Sequence, residues 1–211
     1  MLLNVRMVNS VFEDDGRPDF DPGKNTAEFV SRMPDYVAQG VRAFTVSLQG
    51  GYPGYSGARN SAFRSDGTLD ATYLARVARV IERADGLGAV IIFSLFYQRQ
   101  DHILRNEEAV RAGVIRAVDW VNQRGYRNII LEIANEYGHP GFDHAVLRSD
   151  AGVAGLIRLT QQRHSSLRGP SAEGSPFAGP GLDDASPPGS LRGQRPTRSG
   201  QTIVYTRSDC R

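Results

Sequence analysis

The chain has 211 residues, of which 40% are hydrophobic and 23% are charged, enough for one ordinary domain with a buried core. Residues 1–164 hold 19 Lys and Arg against 19 Asp and Glu, so the net charge of +2 comes from the remaining residues. We see no basic stripe for a nucleic acid and no apolar run that could span a membrane, and we expect neither partner. The one cysteine, Cys210, excludes an intrachain disulfide and a cysteine-based zinc site, and no cofactor is expected.

Four predicted strands, each followed by a predicted helix, occupy residues 1–164. Hydrophobic runs indicate the strands, and amphipathic periodicity with capping residues indicates the helices. Asn25, with Glu28 three residues on, and Asn106 are the expected helix N-caps, and Pro34 should bend the first helix. In chain order the elements are strand 4–12, helix 25–40, strand 41–49, helix 70–86, strand 89–97, helix 106–125, strand 128–136 and helix 149–164.

Hydrophobic strands that alternate with helices predict a parallel sheet covered by helices. An open doubly wound sheet and a (β/α)8 barrel both fit this pattern. The long connections follow the strands and the short ones precede them, and no Gly-rich phosphate-binding turn follows the first strand. These features favour a partial (β/α)8 TIM barrel of about four βα units, with a site at the carboxyl ends of its strands.

Residues 165–211 have a different composition. Ser, Arg, Gly and Pro make up 27 of these 47 residues, without a hydrophobic period. Such a segment buries too little apolar surface to offset the entropy lost on folding, which predicts a disordered tail. The other interpretation is an out-of-frame translation, since 24 Arg against the single Lys24 are typical of a GC-rich gene. We favour the second interpretation, because the change falls where a fifth strand is due.

The stretch "NIILEIANEYGH", residues 128–139, places carboxylates in a hydrophobic strand. Side-chain alternation puts Glu132 and Glu136 on one face, which would look into the barrel, and Asn135 on the other. Glu136 would stand half enclosed at the rim, where a carboxylate can act as a general acid, and Asn135 can bind a hydroxyl or orient it. Glu132 lies deeper and is predicted to join a buried polar network, with Arg6 as its partner.

The run "IILEIANE" resembles the strand-4 signature of clan A retaining β-glycosidases, particularly the cellulase-like glycoside hydrolase family 5. The resemblance covers roughly residues 4–164. It implies a (β/α)8 barrel that hydrolyses β-linked O-glycosides with retention, with Glu136 as general acid/base and Asn135 in contact with the sugar. No secretory signal precedes the first strand, and the compartment is left open, including a secreted or periplasmic parent protein.

This chain departs from the family pattern at several points. The family's nucleophile is a second Glu at the end of strand 7, whereas the only Glu after Glu136 here is Glu173. The Arg that commonly ends strand 2 and the His that commonly ends strand 3 are not found at those positions. We therefore expect a divergent branch, and we expect the 211-residue chain to be inactive or nearly so.

Aromatic and amide side chains follow the predicted strands, and such residues suit a carbohydrate because rings stack on a sugar and amides bind its hydroxyls. Local packing of the loops explains them about equally well. The predicted substrate-binding residues are Gln49, Tyr52, Tyr55, Tyr97, Gln98 and His139.

His139, Asp143 and His144 could also hold a metal, but we favour hydrogen bonds that order the loop, because the helical spacing of a zinc pair is absent. No metal site is therefore predicted. Trp120 is expected in the core.

Two other functions stay open from the sequence. One is a non-catalytic carbohydrate-binding or scaffold protein that lost the nucleophile, and the other is an open parallel-sheet domain with an unrelated ligand. Half a barrel would leave the first and fourth strands as open edges, so we also expect self-association through these edges.

Overall fold

The computed structural model describes residues 3–50, 58–163 and 203–205. In this part of the chain five strands form one parallel sheet in the order β1-β2-β3-β4-β5. The strands are β1 (Asn4–Arg6), β2 (Ala43–Ser47), β3 (Val90–Phe96), β4 (Ile129–Ala134) and β5 (Ile203–Tyr205). The helices are α1 (Pro22–Ala38), α2 (Ala71–Gly86), α3 (Glu107–Arg124) and α4 (Asp150–Arg163), with short 3₁₀ helices at Val8–Val11, Asp101–Ile103 and Ala145–Leu147.

The strand order distinguishes between the two predicted architectures. Each strand pairs in parallel with the next one along the chain, whereas a doubly wound sheet reverses its order at a switch point. Sequential parallel strands joined by helices are the arrangement of a (β/α)8 barrel, and the described residues form part of one. The predicted α/β partial barrel is therefore confirmed.

One face of the sheet carries the hydrophobic core. Val46 of β2, Phe93 of β3 and Leu131 of β4 are paired in register and are buried in a single cluster with residues of the helices. Trp120 of α3 packs on this cluster, as expected for a core residue. Its ring centroid lies 5.9 Å from the ring centroid of Phe93. This layer anchors the strands and thereby determines where their carboxyl ends lie.

The start of α1 differs from the prediction. The helix begins at Pro22, and its N-cap is Asp21 rather than Asn25, because the Asp21 carboxylate accepts a hydrogen bond from the backbone N–H of Lys24 at 3.0 Å. Pro22 suits the first helical position, where its missing N–H needs no partner. The Asn25 side chain donates instead to the backbone oxygen of Asn9 at 2.8 Å.

Other boundaries agree in part. Asn106 caps α3 as predicted, since its side chain accepts from the N–H of Ala109 at 2.9 Å. The first strand is shorter than 4–12: it ends at Arg6, and the chain then turns into the 3₁₀ helix Val8–Val11. Pro34 lies within α1, and the helix continues through it to Ala38.

The C-terminal segment contributes one short strand. β5 pairs in parallel with β4, placing Ile203 beside Ile130 and Tyr205 beside Glu132. The expectation that the fourth strand is an open edge is therefore wrong over these residues. The sequence prediction missed β5 because a three-residue strand in a Ser-, Arg- and Gly-rich segment has too few residues to show a period.

Candidate active site at the carboxyl ends of the strands

Asn135 and Glu136 follow β4 directly, at the carboxyl edge of the sheet. The backbone N–H of Asn135 donates to the oxygen of Phe96 at 3.1 Å, which extends the β3–β4 ladder past the strand, and the Asn135 side chain is buried. Glu136 has a left-handed backbone with φ of 53° and is exposed. The expected half-enclosed Glu136 is therefore wrong, because strand alternation stops before this residue and the carboxylate stands at the open rim.

Two predicted substrate-binding residues lie against Glu136. Gln98, 2% exposed, donates from Nε2 to Oε2 of Glu136 at 3.2 Å. The backbone N–H of His139 donates to the backbone oxygen of Glu136 at 3.1 Å, and His139 Nδ1 accepts from the N–H of Gly141 at 2.9 Å. Tyr97 precedes Gln98 and is partly buried. The structure therefore places the Gln98 side chain on the Glu136 carboxylate, and it places the His139 backbone in the turn that follows Glu136.

Gln49 has a different position. Its side chain is completely buried, and Nε2 donates to Oγ of Ser61 and to the oxygen of Gln100, both at 3.1 Å. Its Oε1 accepts from the backbone N–H of Tyr97 at 3.2 Å. Both amide hydrogens are used within the protein, so Gln49 joins the loops after β2 and β3. Tyr52 and Tyr55 lie outside the described residues.

Two further buried amides, Asn60 and Gln100, connect neighbouring loops. Asn60, in the loop after β2, accepts at Oδ1 from the N–H groups of Glu13 and Asp14, at 2.9 Å and 3.1 Å, in the loop after β1. Gln100, after β3, accepts at Oε1 from the N–H of Asn60 and donates to the oxygen of Ala58, both at 3.2 Å. The loops at this edge are thus tied to each other by side chains, and no pattern in the sequence marks which amides are buried.

A buried carboxylate ties the loop after β3 to the loop after β4. Asp101 is fully buried, and its Oδ2 accepts from the backbone N–H groups of Asp143 and His144 and lies 2.9 Å from Nδ1 of His144. Asp143 and His144 therefore take part in loop-ordering hydrogen bonds, as predicted. Among the described residues, no group of three or more His, Cys, Asp or Glu is arranged to hold a metal.

Glu132 belongs to a polar row beneath the rim. Ser47, Ser94 and Glu132 are paired in register across β2, β3 and β4, and they are 0%, 1% and 5% exposed. Oε2 of Glu132 and Oγ of both serines form no hydrogen bond with the described residues. Arg6, the predicted partner, is exposed and forms no ion pair in the described part of the chain, so that pairing is wrong.

Aromatic and cationic side chains of α2 support the loop after β1. Arg76 donates to the oxygen of Val11 and to Oε1 of Glu13, both at 3.1 Å, and lies over the ring of Tyr73. The Tyr73 hydroxyl donates to the oxygen of Ser47 at 3.0 Å, and burial raises the pKa of this phenol well above its ordinary value. Tyr73 is therefore neutral, and it acts as a donor below the rim.

Two grooves lie away from the rim. They run along α1, with volumes of about 740 Å³ and 240 Å³, and neither is lined by a predicted site residue. None of the helices in the described ranges is both long and apolar enough to cross a bilayer.

The sequence matches no protein-family model and no curated protein. Solved structures do resemble the chain. Several of these structures are enzymes of glycoside hydrolase family 5.

Three of these neighbours illustrate the extent of the match. A family 5 enzyme from Prevotella bryantii B14 is 12% identical, covers 64% of this chain and 41% of its own, and has a TM-score of 0.47. An exo-β-1,4-mannosidase from Opitutaceae bacterium strain TAV5 is 13% identical, with 77% and 30% covered and a TM-score of 0.48. A broad-specificity endoglucanase from Ruminococcus flavefaciens is 13% identical, with 77% and 47% covered and a TM-score of 0.47. This chain thus spans less than half the length of these enzymes.

Proposed function

We propose that this chain is the N-terminal part of a retaining β-glycoside hydrolase barrel in which Glu136 is the general acid/base. The observation that carries the proposal is the position of Glu136 directly after β4, with its carboxylate held by Gln98 from the end of β3. In (β/α)8 enzymes the reacting groups stand at the carboxyl ends of the strands. A carboxylate there that is exposed to substrate and fixed by a neighbour has the placement that general acid catalysis needs.

The reaction assigns two roles to Glu136. As the acid it gives a proton to the leaving glycosidic oxygen, and as the base it then takes a proton from the water that attacks the glycosyl-enzyme intermediate. Asn135, which precedes it, would contact the sugar next to the reacting bond. Gln98 donates to one carboxylate oxygen, which orients the other oxygen toward substrate.

Retention also needs a second carboxylate, roughly 5–5.5 Å from the first, to form the intermediate. The only Glu that follows Glu136 in these 211 residues is Glu173, outside the described residues. We therefore expect no turnover from the chain itself. A carbohydrate ligand, with Tyr97 and His139 at the same rim, belongs to this proposal.

The test begins with the DNA that follows the codon for residue 164, read in all three frames. We expect it to encode four further strand–helix units, with a Glu at the end of the seventh strand. The protein from that frame should hydrolyse aryl β-glycosides or β-glucans, and Glu136→Gln should lower kcat by roughly 10²–10⁴-fold. Glu28→Gln, an exposed change on α1, serves as the control and should retain full activity.

Three outcomes would contradict the proposal. Robust turnover by the 211-residue chain would contradict its predicted inactivity, and full activity of Glu136→Gln would remove this residue from the mechanism. Sugar affinity without hydrolysis, unchanged in Glu136→Gln, would favour a non-catalytic carbohydrate-binding protein.

A further inference from the structure

Contacts between β3 and β4 continue beyond the sheet into the two loops that follow them. We call these contacts the β3–β4 loop junction. Four sets of contacts make up this junction. In chain order they are Asn135 N to Phe96 O at 3.1 Å, Gln98 Nε2 to Glu136 Oε2 at 3.2 Å, Arg99 N to Gly141 O at 2.9 Å, and Asp143 N and His144 N to Asp101 Oδ2 at 2.9 Å and 3.0 Å. In chain order, the contact of the proposed acid thus falls between the strand contact and the Asp101 contacts.

Asp101 is the buried carboxylate of this junction. Its side chain is 0% exposed, and one oxygen, Oδ2, takes all three N–H groups offered by Asp143 and His144. A buried carboxylate is costly unless it is hydrogen-bonded, and bonds to an ionised acceptor are stronger than those between neutral groups. The loop after β4 is therefore held by a group whose own burial depends on that loop.

The ring of His144 has one orientation consistent with this contact. A carboxylate oxygen only accepts, so Nδ1 of His144 must carry a hydrogen to bond Asp101 Oδ2 at 2.9 Å. The neutral ring is then the Nδ1–H tautomer. Nε2 forms no hydrogen bond with the described residues, and it keeps its lone pair.

A second Asp–His pair joins the same two loops, with the histidine in the loop after β3 and the aspartate in the loop after β4. His102 Nδ1 lies 3.9 Å from Oδ2 of Asp143, and these side chains are 59% and 65% exposed. An exposed pair at this distance contributes little, whereas the side chains of Asp101 and His144 are 0% and 10% exposed. The two Asp–His pairs join the same loops and differ in burial and in the N···O distance, 2.9 Å for Asp101–His144 against 3.9 Å for His102–Asp143.

We propose that Asp101 is a positioning residue for Glu136: by holding the loop after β4 through Asp143 and His144, it keeps the Glu136 carboxylate against Gln98. The proposal rests on the proposed role of Glu136 for its functional meaning. Its structural claims are that the tautomer of His144 and the position of the Glu136 carboxylate are fixed. Both claims can be tested without any reaction.

The experiment uses the full 211-residue chain and nuclear magnetic resonance. The ring nitrogens of His144 are expected to show the Nδ1–H tautomer. Asp101→Ala should abolish this signature, speed amide exchange at Asp143 and His144 by at least about tenfold, and shift the side-chain amide signals of Gln98. Asp101→Asn keeps one oxygen acceptor and should restore most of the amide protection. His102→Ala, in the exposed pair, should leave all three readouts unchanged.

A purely structural role would leave Gln98 and Glu136 unchanged. Unshifted Gln98 and Glu136 side-chain signals in Asp101→Ala would therefore overturn the proposal, as would an Nε2–H tautomer of His144 in the unmodified chain. If Asp101→Ala does not fold, His144→Phe removes one of the three N–H groups on Asp101 at similar volume and should shift the Gln98 signals in the same direction by a smaller amount. None of these readouts uses a sugar or turnover, so they would fail or succeed independently of the catalytic role of Glu136.

Discussion

Glu136 combines a charged side chain with a left-handed backbone, a conformation that glycine adopts without strain. Its φ is 53°, and for residues with a Cβ this conformation costs roughly 1–2 kcal/mol. Non-glycine residues in strained conformations cluster at sites where a side chain is needed at that point. At Glu136 the turn aims the carboxylate out of the strand and into the reach of Gln98.

Two substitutions at this position should differ in stability. Glu136→Ala and Glu136→Gly both remove the contact with Gln98, but only alanine keeps the strained Cβ. We expect the free energy of unfolding of Glu136→Gly to exceed that of Glu136→Ala by about 1 kcal/mol, measured by urea denaturation. Equal stabilities would indicate that residue 136 does not have a left-handed backbone in solution.

The sequence predicted the positions of some site residues and not those of others, and the difference has a physical reason. Asn135 and Glu136 stand at the end of a hydrophobic run, so their place at the sheet edge followed from the pattern. Asp101 and Gln100 contact residues about 40 positions away in the chain, and no local period reports such contacts. Gln49 was expected to face a ligand, because the sequence alone does not distinguish a buried loop amide from an exposed one.

The N-caps of the helices were also predicted only in part. Asn106 was predicted as an N-cap because no competing capping residue stands near it. At α1 both Asp21 and Asn25 qualify, and Pro22 decides between them, since it fits the first helical position. α2 begins after Asp70, whose carboxylate accepts from the N–H groups of Thr72 and Tyr73.

The Asp70 cap should make the stability of the chain depend on pH. The hydrogen bond from the Tyr73 N–H lowers the pKa of Asp70 below its ordinary value of 3.8. The unfolded chain therefore binds this proton more readily, and the stabilisation is present above about pH 4 and is lost as the pH falls through the lowered pKa. Asp70→Asn keeps an acceptor but does not titrate, so its free energy of unfolding should fall less between pH 7 and pH 3.

Denaturant melts at the two pH values would measure this difference. Asp70→Ala is the second variant, and it should lose about 1 kcal/mol at pH 7 because the cap is removed altogether. An identical loss of stability on acidification in the unmodified chain and in Asp70→Asn would contradict the assignment.

On the scale of the whole molecule, the sheet has two outer strands, β1 and β5, in the described part of the chain. The predicted self-association through open edges therefore concerns the outer edge of β1 and the outer edge of β5. The succession of hydrophobic strands and amphipathic helices was sufficient to predict the parallel sheet and the helices around it. β5 was not predictable, because its three residues acquire strand geometry only by pairing with β4.

Removing β5 from the sheet should increase self-association. Replacing both Val204 and Tyr205 by proline removes two consecutive N–H groups, and since alternate N–H groups of a strand face the same neighbour, at least one ladder donor is lost. We expect a larger mean mass by light scattering at equal concentration, because the edge of β4 becomes free to pair with another chain. Alanine at both positions keeps the N–H groups and is the control; a prolyl variant that matches it would mean that β5 does not protect this edge.

The buried amides Asn60 and Gln100, together with Asp101, give the rim loops a property that matters for anyone redesigning them. In many barrels a connecting loop can be exchanged as a self-contained cassette. Here each loop forms hydrogen bonds with the next one along the chain. A transplanted loop would therefore lack the hydrogen-bond donor or acceptor that its neighbour needs. Libraries built on this scaffold would have to vary adjacent loops together, or retain these three side chains as constant positions.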